Sequence, residues 1–458
     1  MTDTALHSPA LSEAPLPSGT PLPSETMPSL AYRSYFLLIM VLVSASVVGE
    51  RNMLVVLVEP IRRELHLSDT AIGMVKDLAV ALVYIVAVIP LARLADRWSK
   101  RRVLTIAAVV WSLSVLVCGG AKTFWMLLIG RAGIGLGEGG FTPPSQAWIA
   151  DLFPVKQRAT ALSIFLLGAS IGSFAGPALG GLAAHAYGWR NTLLFASIPG
   201  FVLAPIVLFT LRDVRPGMAD GVSAADSVTA PFLQTIRELL AIRTLPPLIL
   251  AAALNTTLTS GLISWAPAFM QRTHGMPAHV AGLQMGGALL VGSLIGHTLG
   301  GPLADRLGRK DLRWYVWLLM GSGAFVTVIA WFILTGPGNL VFPLFGLNLL
   351  LGGLSAAPMM ALVTGLAPAR SRSTAVALLM TAINVIGLGG GPLLIGMLSD
   401  LLRPTFGEAS LGVAMRWALL CGLPSTILAW NASRSCRADL AAAGGWSHAA
   451  PEPTLPIV

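Results

Sequence analysis

Charge is what this sequence has least of. Only 11% of its 458 residues are charged, whereas 55% are hydrophobic and the mean hydropathy is +0.75. That balance excludes an ordinary soluble domain and implies a chain embedded in a membrane. Cysteine is equally scarce: Cys118, Cys421 and Cys436 are too few and too scattered for a disulfide framework or a zinc cluster. The sequence has no HExxH motif, no pair of catalytic aspartates within a span and no histidine-rich cluster. A membrane enzyme would need such groups, so the chain is not expected to be an enzyme, and no cofactor or metal is called for. The opening MTDTALHSPALSEAPLPSGTPLPSETMPSL lacks both a basic start and an apolar core, so it reads as a disordered tail rather than a signal peptide.

What the sequence does have is hydrophobic runs about as long as a bilayer core is thick, among them SYFLLIMVLVSASVV, AVALVYIVAVIPLA and VLTIAAVVWSLSVLVCGG. About twelve such runs predict an all-α polytopic membrane protein. The net charge of +9 could point to nucleic acid, but the basic residues gather in particular short loops. They run from Arg93 to Arg102, Lys156 with Arg158, Arg212 to Arg243, Arg306 to Arg313, Arg370 with Arg372, and Arg434 with Arg437. Counted from a cytoplasmic N-terminus, every cluster falls on one side, while the alternate loops hold scattered residues such as Lys122, Arg190, Arg272 and Arg403. The positive-inside rule then puts both termini in the cytoplasm of a plasma-membrane protein whose partner is the bilayer, not nucleic acid.

The chain is also duplicated. LADRWSKRR, around Asp96, matches LADRLGRKD, around Asp305, and PVKQRATAL from Pro154 matches PARSRSTAV from Pro368 at almost the same separation. Two matched pairs at one offset indicate two six-helix halves, residues 33–212 and 244–433. A tail (1–32) precedes them, a linker (213–243) joins them and a cytoplasmic tail (434–458) follows. Within the linker, PFLQTIRELLAI places Phe232, Leu233, Ile236, Leu239 and Leu240 on one face of a short amphipathic helix.

Two of these stretches carry a resemblance. GPLADRLGRK from Gly301 resembles the loop signature of the major facilitator superfamily; the first copy departs from it at Ala92 and Ser99. The resemblance implies twelve transmembrane helices in two pseudo-symmetric six-helix halves. It also implies that Asp96, Arg97, Asp305 and Arg306 form a conformational gate, with Asp96 near the start of the eleventh helix, around Ser371 to Thr374, and Asp305 near the start of the fifth, around Lys156 to Thr160. A carboxylate at the positive end of a helix in the other half makes a breakable contact; the alternative is that these charges only set topology. Four further segments, ERNMLVVLVEPI from Glu50, HLSDTAIG from His66, PLARLADR from Pro90 and GRAGIGLGEGGFTPPSQAWIADLFP from Gly130, are similar to the Spinster-like branch. That branch has Asp-Arg on its first helix where this chain has Glu50-Arg51, which keeps the carboxylate but extends it by one methylene.

The residues themselves single out the same region. Arg131 and Glu138 are seven positions apart, about two helical turns and ~10 Å along one face. Counted from Phe124, Glu138 falls near mid-bilayer, where a carboxylate facing lipid is very costly. Glu50 and Arg51 also lie within an apolar run. These four could form a structural ion network. The resemblance instead implies that the first-helix acid and the fourth-helix acid and arginine line the central cavity in proton coupling, which carries over to Glu50, Glu138 and Arg131, with Arg51 beside them. Gly133, Gly135, Gly137, Gly139 and Gly140 lack the Lys-Ser or Lys-Thr of a phosphate loop and read as close helix packing. Lys76 is expected to snorkel to the headgroups, and Asp77 is open between ion pairing and a substrate contact. GSFAGPALGG from Gly172, with Gly176 and Pro177, resembles an antiporter signature and adds to the expected gate, although GLGGGPLLIG in the repeat leaves simple packing open.

In the second half no acid stands clearly inside a span. Asn255, Thr256, Thr259, Ser264, Trp265, Gln284, Met359, Met360 and Asn384 are the polar or soft residues there, and with Asp77 most of them are the expected substrate cavity. His297 reads as gate or packing. One charged wall facing a neutral one suits an amphipathic substrate. The expected function is therefore a secondary active transporter working by alternating access, driven by a proton gradient, functional as a monomer, and exporting amphipathic or lipid-like molecules. The alternatives are proton symport of organic anions and a receptor or scaffold that no longer transports.

Overall fold

Ser29, Ser68, Ser99 and Thr123 each accept the backbone N–H three residues on, satisfying a donor that a helix start leaves free. They begin the first four membrane helices of the computed structural model, which describes residues 28–153, 155–214, 232–368 and 371–442. These are α1 (Leu30–Glu64), α2 (Asp69–Gly73, the π-helical Met74–Leu78 and Ala79–Arg97), α3 (Lys100–Gly119) and α4 (Phe124–Leu152). The run Val155–Thr210 breaks at Gly188, whose φ of 78° suits a residue without Cβ, so residues 155–187 are α5 and 189–210 are α6. After the short α7 (Phe232–Leu240) come α8 (Leu245–His274), α9 (Ala278–Gly308) and α10 (Trp314–Thr335). The chain ends with α11 (Val341–Gly353 and Ala356–Leu366), α12 (Arg372–Ala382, the π-helical Ile383–Gly389 and Gly390–Phe406) and α13 (Ser410–Ala418 and Gly422–Ala442).

Twelve membrane helices thus form two six-helix halves, α1–α6 and α8–α13. Nine helical stretches among the described residues are long and apolar enough to span a bilayer, and two of them hold a pair of helices each. The helix missing from that set is α4, whose hydropathy is lowered by Arg131, Glu138 and its glycines.

An even number of crossings brings both chain ends to one face, called the near face here. There the Arg212 N–H donates to the Tyr32 hydroxyl at 2.6 Å, joining the end of α6 to the start of α1, and the Thr244 N–H donates to Asp439 at 2.8 Å, joining α8 to α13. Leu239 of α7 is buried in one apolar cluster with Leu245, Leu248 and Leu440. α1 begins at Leu30 and α13 runs on to Ala442, so the first and last helices extend past the sequence boundaries of 33 and 433.

Glycine seams set the packing around α4. Gly130, Gly133, Gly137 and Gly140 abut Cys118, Ser114, Trp111 and Ala107 of α3, while Gly135 and Gly139 abut Val80 and Ala87 of α2. Helices pack this closely only where no side chain intervenes. With two sides of α4 used for packing, Arg131 and Glu138 occupy the third. Between the halves, the backbones of Phe174 and Pro177 in α5 lie against Gly286 and Gly282 of α9.

Candidate functional site

Six charged side chains from three helices meet inside the first half. Arg131 donates to Glu50 at 2.8 Å, with both side chains 1% exposed. Its other nitrogens donate to the main-chain carbonyls of Val75 and Lys76 at 3.2 and 2.7 Å. Those carbonyls belong to the π-helical turn of α2, in which the Ala79 N–H bonds five residues back to Met74. Arg51 donates to Asp77 at 3.2 Å and reaches Glu138 at 3.5 Å. The Lys76 ammonium donates to Asp77 and, across to α8 in the other half, to Ser264, both at 2.7 Å.

Three acids thus face three bases, and the set is neutral when all six are ionised. Its satisfaction is uneven. One carboxylate oxygen of Glu50 and one of Glu138 are buried with no hydrogen-bond donor, and Glu138 is held only by the longest contact in the network. A buried acceptor without a donor is costly, so these two atoms are the places where the network is incomplete.

A cavity of about 160 Å³ opens beside Glu138, lined by Arg51, Tyr84, Thr142 and, from the second half, Asn384. A cavity of about 350 Å³ within the second half gathers Asn255, Thr256, Thr259, Met359, Met360 and His297. The Asn255 side-chain oxygen there is buried without a partner. A third space of about 600 Å³ lies between α5 and α9 along Ser163, Ser170 and Ser173, and it shares Ser293 and His297 with the second. Most of the cavity residues expected from sequence therefore do line cavities, and three are placed otherwise. Trp265 is 1% exposed and donates its indole N–H to the Pro392 carbonyl, which makes it a packing residue between α8 and α12. Gln284 lines a separate space of about 540 Å³ between α9 and α11. Asp77 is enclosed between Arg51 and Lys76, so its environment is that of an ion pair. Lys76 does not snorkel: it is 5% exposed, because its ammonium has two partners in the interior.

The sequence reading missed a second cluster, on the far face. Arg272 of α8 grips Asp69 of α2 through two nitrogens, at 2.9 and 2.7 Å, and Glu59 of α1 at 2.6 Å. Asp400 of α12 accepts the main-chain N–H groups of Asp69 and Thr70 at 3.0 and 2.8 Å, at the positive start of α2. Ser399 donates to Asp69 at 2.7 Å. Each of these contacts ties one half to the other. At the near face, Asp305 accepts the Tyr315 hydroxyl of α10 at 2.7 Å, within its own half, and the side chain of Lys156 at the expected start of α5 lies outside the described residues. Arg306 is exposed beside it. The side chains of Asp96 and Arg97, and with them the expected contact near α12, lie outside the described residues.

Comparison with known proteins gives this architecture relatives. The model of the Major Facilitator Superfamily matches residues 39–392. An MFS-type efflux pump of Mycolicibacterium smegmatis is 30% identical over 391 residues, 84% of this chain and 89% of that protein. Protein spinster homolog 3 of Danio rerio is 25% identical over 84% of this chain and 81% of its own length, and the sphingosine-1-phosphate transporter SPNS2 of Danio rerio is 24% identical over 79% and 75%. Among solved structures, a bacterial homolog to the human lysosomal transporter Spinster, in an inward-facing and unoccupied conformation, superposes with a TM-score of 0.80 at 25% identity, covering 90% of this chain and 99% of that one.

Proposed function

The chain belongs to the major facilitator superfamily, in its Spinster-like branch, and we propose that it is a proton-coupled antiporter that exports amphipathic, lipid-like molecules by alternating access. The observation that carries this reading is the balanced six-charge network with one bare carboxylate oxygen on Glu50 and another on Glu138. A proton added to Glu138 leaves Arg51 without one of its two carboxylates and the network with a net positive charge. That positive charge, and the loss of the carboxylate, disfavour a cationic headgroup in the cavity. When the proton leaves, the bare oxygen of the ionised Glu138 accepts a donor from a cationic headgroup. Proton and cationic headgroup therefore exclude each other at one carboxylate, which is the requirement of exchange. Glu50 and Arg131 form the deeper, tighter pair of the same device, and the proton gradient is the driving force.

The substrate class is supported by the opposite wall. Met359, Met360 and Leu349 line the cavity of the second half, which meets the crevice between α5 and α9 at Ser293 and His297. Charge on one side and soft apolar surface on the other match a molecule with a polar head and a hydrocarbon body. The relatives named as an efflux pump and as a sphingosine-1-phosphate transporter support export and the lipid-like class. In this scheme the near face is cytoplasmic, as its basic loops favour, the protein works as a monomer in the plasma membrane, and Gly176, packed on Gly49 of α1, and Pro177, at the α5–α9 seam, allow the halves to rock. Asp96, Arg97, Asp305 and Arg306 form the near-face gate in the opposite conformation.

The second reading, proton symport of organic anions, rests on Arg51 on the cavity wall, its side chain 25% exposed. One experiment tests both. The protein is placed in liposomes containing a pH-sensitive dye, and lysophospholipids, sphingoid bases, cationic drugs and organic acids are added in turn. A substrate-triggered proton flux is expected for an amphipathic compound, lost in Glu138→Gln with folding preserved. An undiminished flux in Glu138→Gln would remove Glu138 from the coupling role, and co-directional flux with an organic acid would favour symport.

A further inference from the structure

Lys76 is a buried cation for which the exchange of proton and substrate at Glu138 has no use. Its position gives it one. The ammonium bridges the halves, donating to Ser264 of α8 at 2.7 Å while held by Asp77 of its own half at 2.7 Å. The main-chain carbonyl of the same residue is gripped by Arg131 at 2.7 Å, and Arg131 in turn holds Glu50 at 2.8 Å. One residue is thus tied by its backbone to a candidate proton site and by its side chain to the opposite half.

The segment between those two ties is a π-helical turn. Such a turn contains one residue more than an α-helix accommodates, and single turns of this kind are frequent at functional sites. Absorbing or releasing that residue turns the side chains that follow by about 100° relative to the rest of the helix. The facing helix α12 carries the matching π segment, Ile383–Gly389, and the two helices touch where Leu78 meets Gly389 and where Gly73 meets Leu393. Close packing on both sides favours discrete arrangements over continuous adjustment.

We infer that Lys76 is a positioning residue that latches the two halves together at mid-depth, and that the charge on Glu50 sets this latch through Arg131 and the π turn. With Glu50 ionised, Arg131 stays between Glu50 and the carbonyls of Val75 and Lys76, and the Lys76 amine reaches Ser264. With Glu50 neutral, Arg131 loses its charged partner and is drawn toward the remaining acids, Asp77 and Glu138. Its grip on the π turn is released, and the Lys76–Ser264 bond parts together with the far-face ties of Arg272. The inference rests on the reading of Glu50 as a proton site, and it adds the route by which that proton is felt by the other half.

The test is a double-mutant cycle read as a conformational ratio in the full chain. Spin labels are placed at Lys122 and Asn339, exposed near the far ends of the two halves, after replacement of the three native cysteines by alanine. The distance distribution reports far-face-closed against far-face-open populations. Glu50→Gln is expected to shift the ratio toward open by about tenfold, within the usual range of coupling between sites. In Lys76→Met and in Ser264→Ala the ratio is expected to start shifted, and Glu50→Gln to add less than about twofold, since coupled residues are non-additive. Ser264→Ala keeps the Lys76–Asp77 pair, so the cycle stands even if Lys76→Met folds poorly. A residue that merely supports the fold would lower thermal stability and leave the two shifts additive. An equal shift by Glu50→Gln with and without Ser264 would overturn the latch and leave the proton role of Glu50 standing. No shift by Glu50→Gln in the parent would overturn both.

Discussion

The two faces of one interface are held by different chemistry. At the far face, Arg272, Asp69, Glu59 and Asp400 form buried, charge-assisted bonds from one half to the other. At the near face, the ion pairs and acid contacts seen among the described residues lie within a half: Asp305 with Tyr315, Asp311 with Arg437 and Arg313, Lys100 with Asp151. Partial burial raises the Asp311 carboxyl, but the Arg313 N–H and the Arg437 guanidinium outweigh it and hold Asp311 below its ordinary value. The difference teaches that closure of the far side is specified by particular side chains, whereas nothing comparable among the described residues binds the halves at the near side.

Removing the centre of the far-face cluster gives the largest expected effect. Arg272→Ala leaves Asp69 and Glu59 buried with a counter-charge missing, and breaking such a pair by removing one partner costs roughly 3–5 kcal/mol. The closed conformation should become a minor population in the spin-label measurement; retention of the closed distance as the main population would show that the cluster is incidental. A smaller effect belongs to the apolar wall of the second half. Met359→Ser removes part of the surface that would hold a hydrocarbon body, and since burying such a side chain contributes about 1.5–3 kcal/mol, the apparent affinity for a long-chain substrate should fall about tenfold while that for a short-chain analogue stays within about twofold. Equal losses for both chain lengths would place the hydrocarbon elsewhere. The smallest effect is expected at the near face. Tyr315→Phe removes the hydroxyl that donates to Asp305 inside one half, a bond worth about 1 kcal/mol, and should lower the melting temperature slightly without changing the ratio of conformations. A clear change in that ratio would reveal that Asp305 bears on the interface after all.

Sequence and structure agree most where a local pattern carries the information. Arg131 and Glu138 stand out because they interrupt an otherwise apolar helix, and that interruption is what keeps α4 outside the set of clearly apolar spans. The glycines of α4 are legible for a similar reason, since small residues at fixed spacing mean close packing. Trp265 misleads because its polar handle looks available for a ligand, and only the fold reveals the Pro392 carbonyl that occupies it. Lys76 misleads because snorkeling is the usual outcome for a lysine near a span's end, and the π turn that carries it inward leaves no mark on hydrophobic periodicity. The far-face cluster was invisible for a different reason. Arg272 is 203 residues from Asp69, and Asp400 is 330 residues from Thr70, so only the docking of the two halves creates the site. The nearest local signal was Ser68-Asp69 at the start of α2, which reads as an ordinary helix cap.

The central claim is that proton and substrate compete for the Glu138 carboxylate, and proton release on binding tests it most directly. A saturating single-chain cationic amphiphile is added to the purified protein in weakly buffered solution at a pH where Glu138 is protonated, and the released protons are read with a pH indicator. The account predicts release in the parent and its loss in Glu138→Gln, with binding itself retained in both. Binding without release in the parent, or the same release from Glu138→Gln, would contradict it.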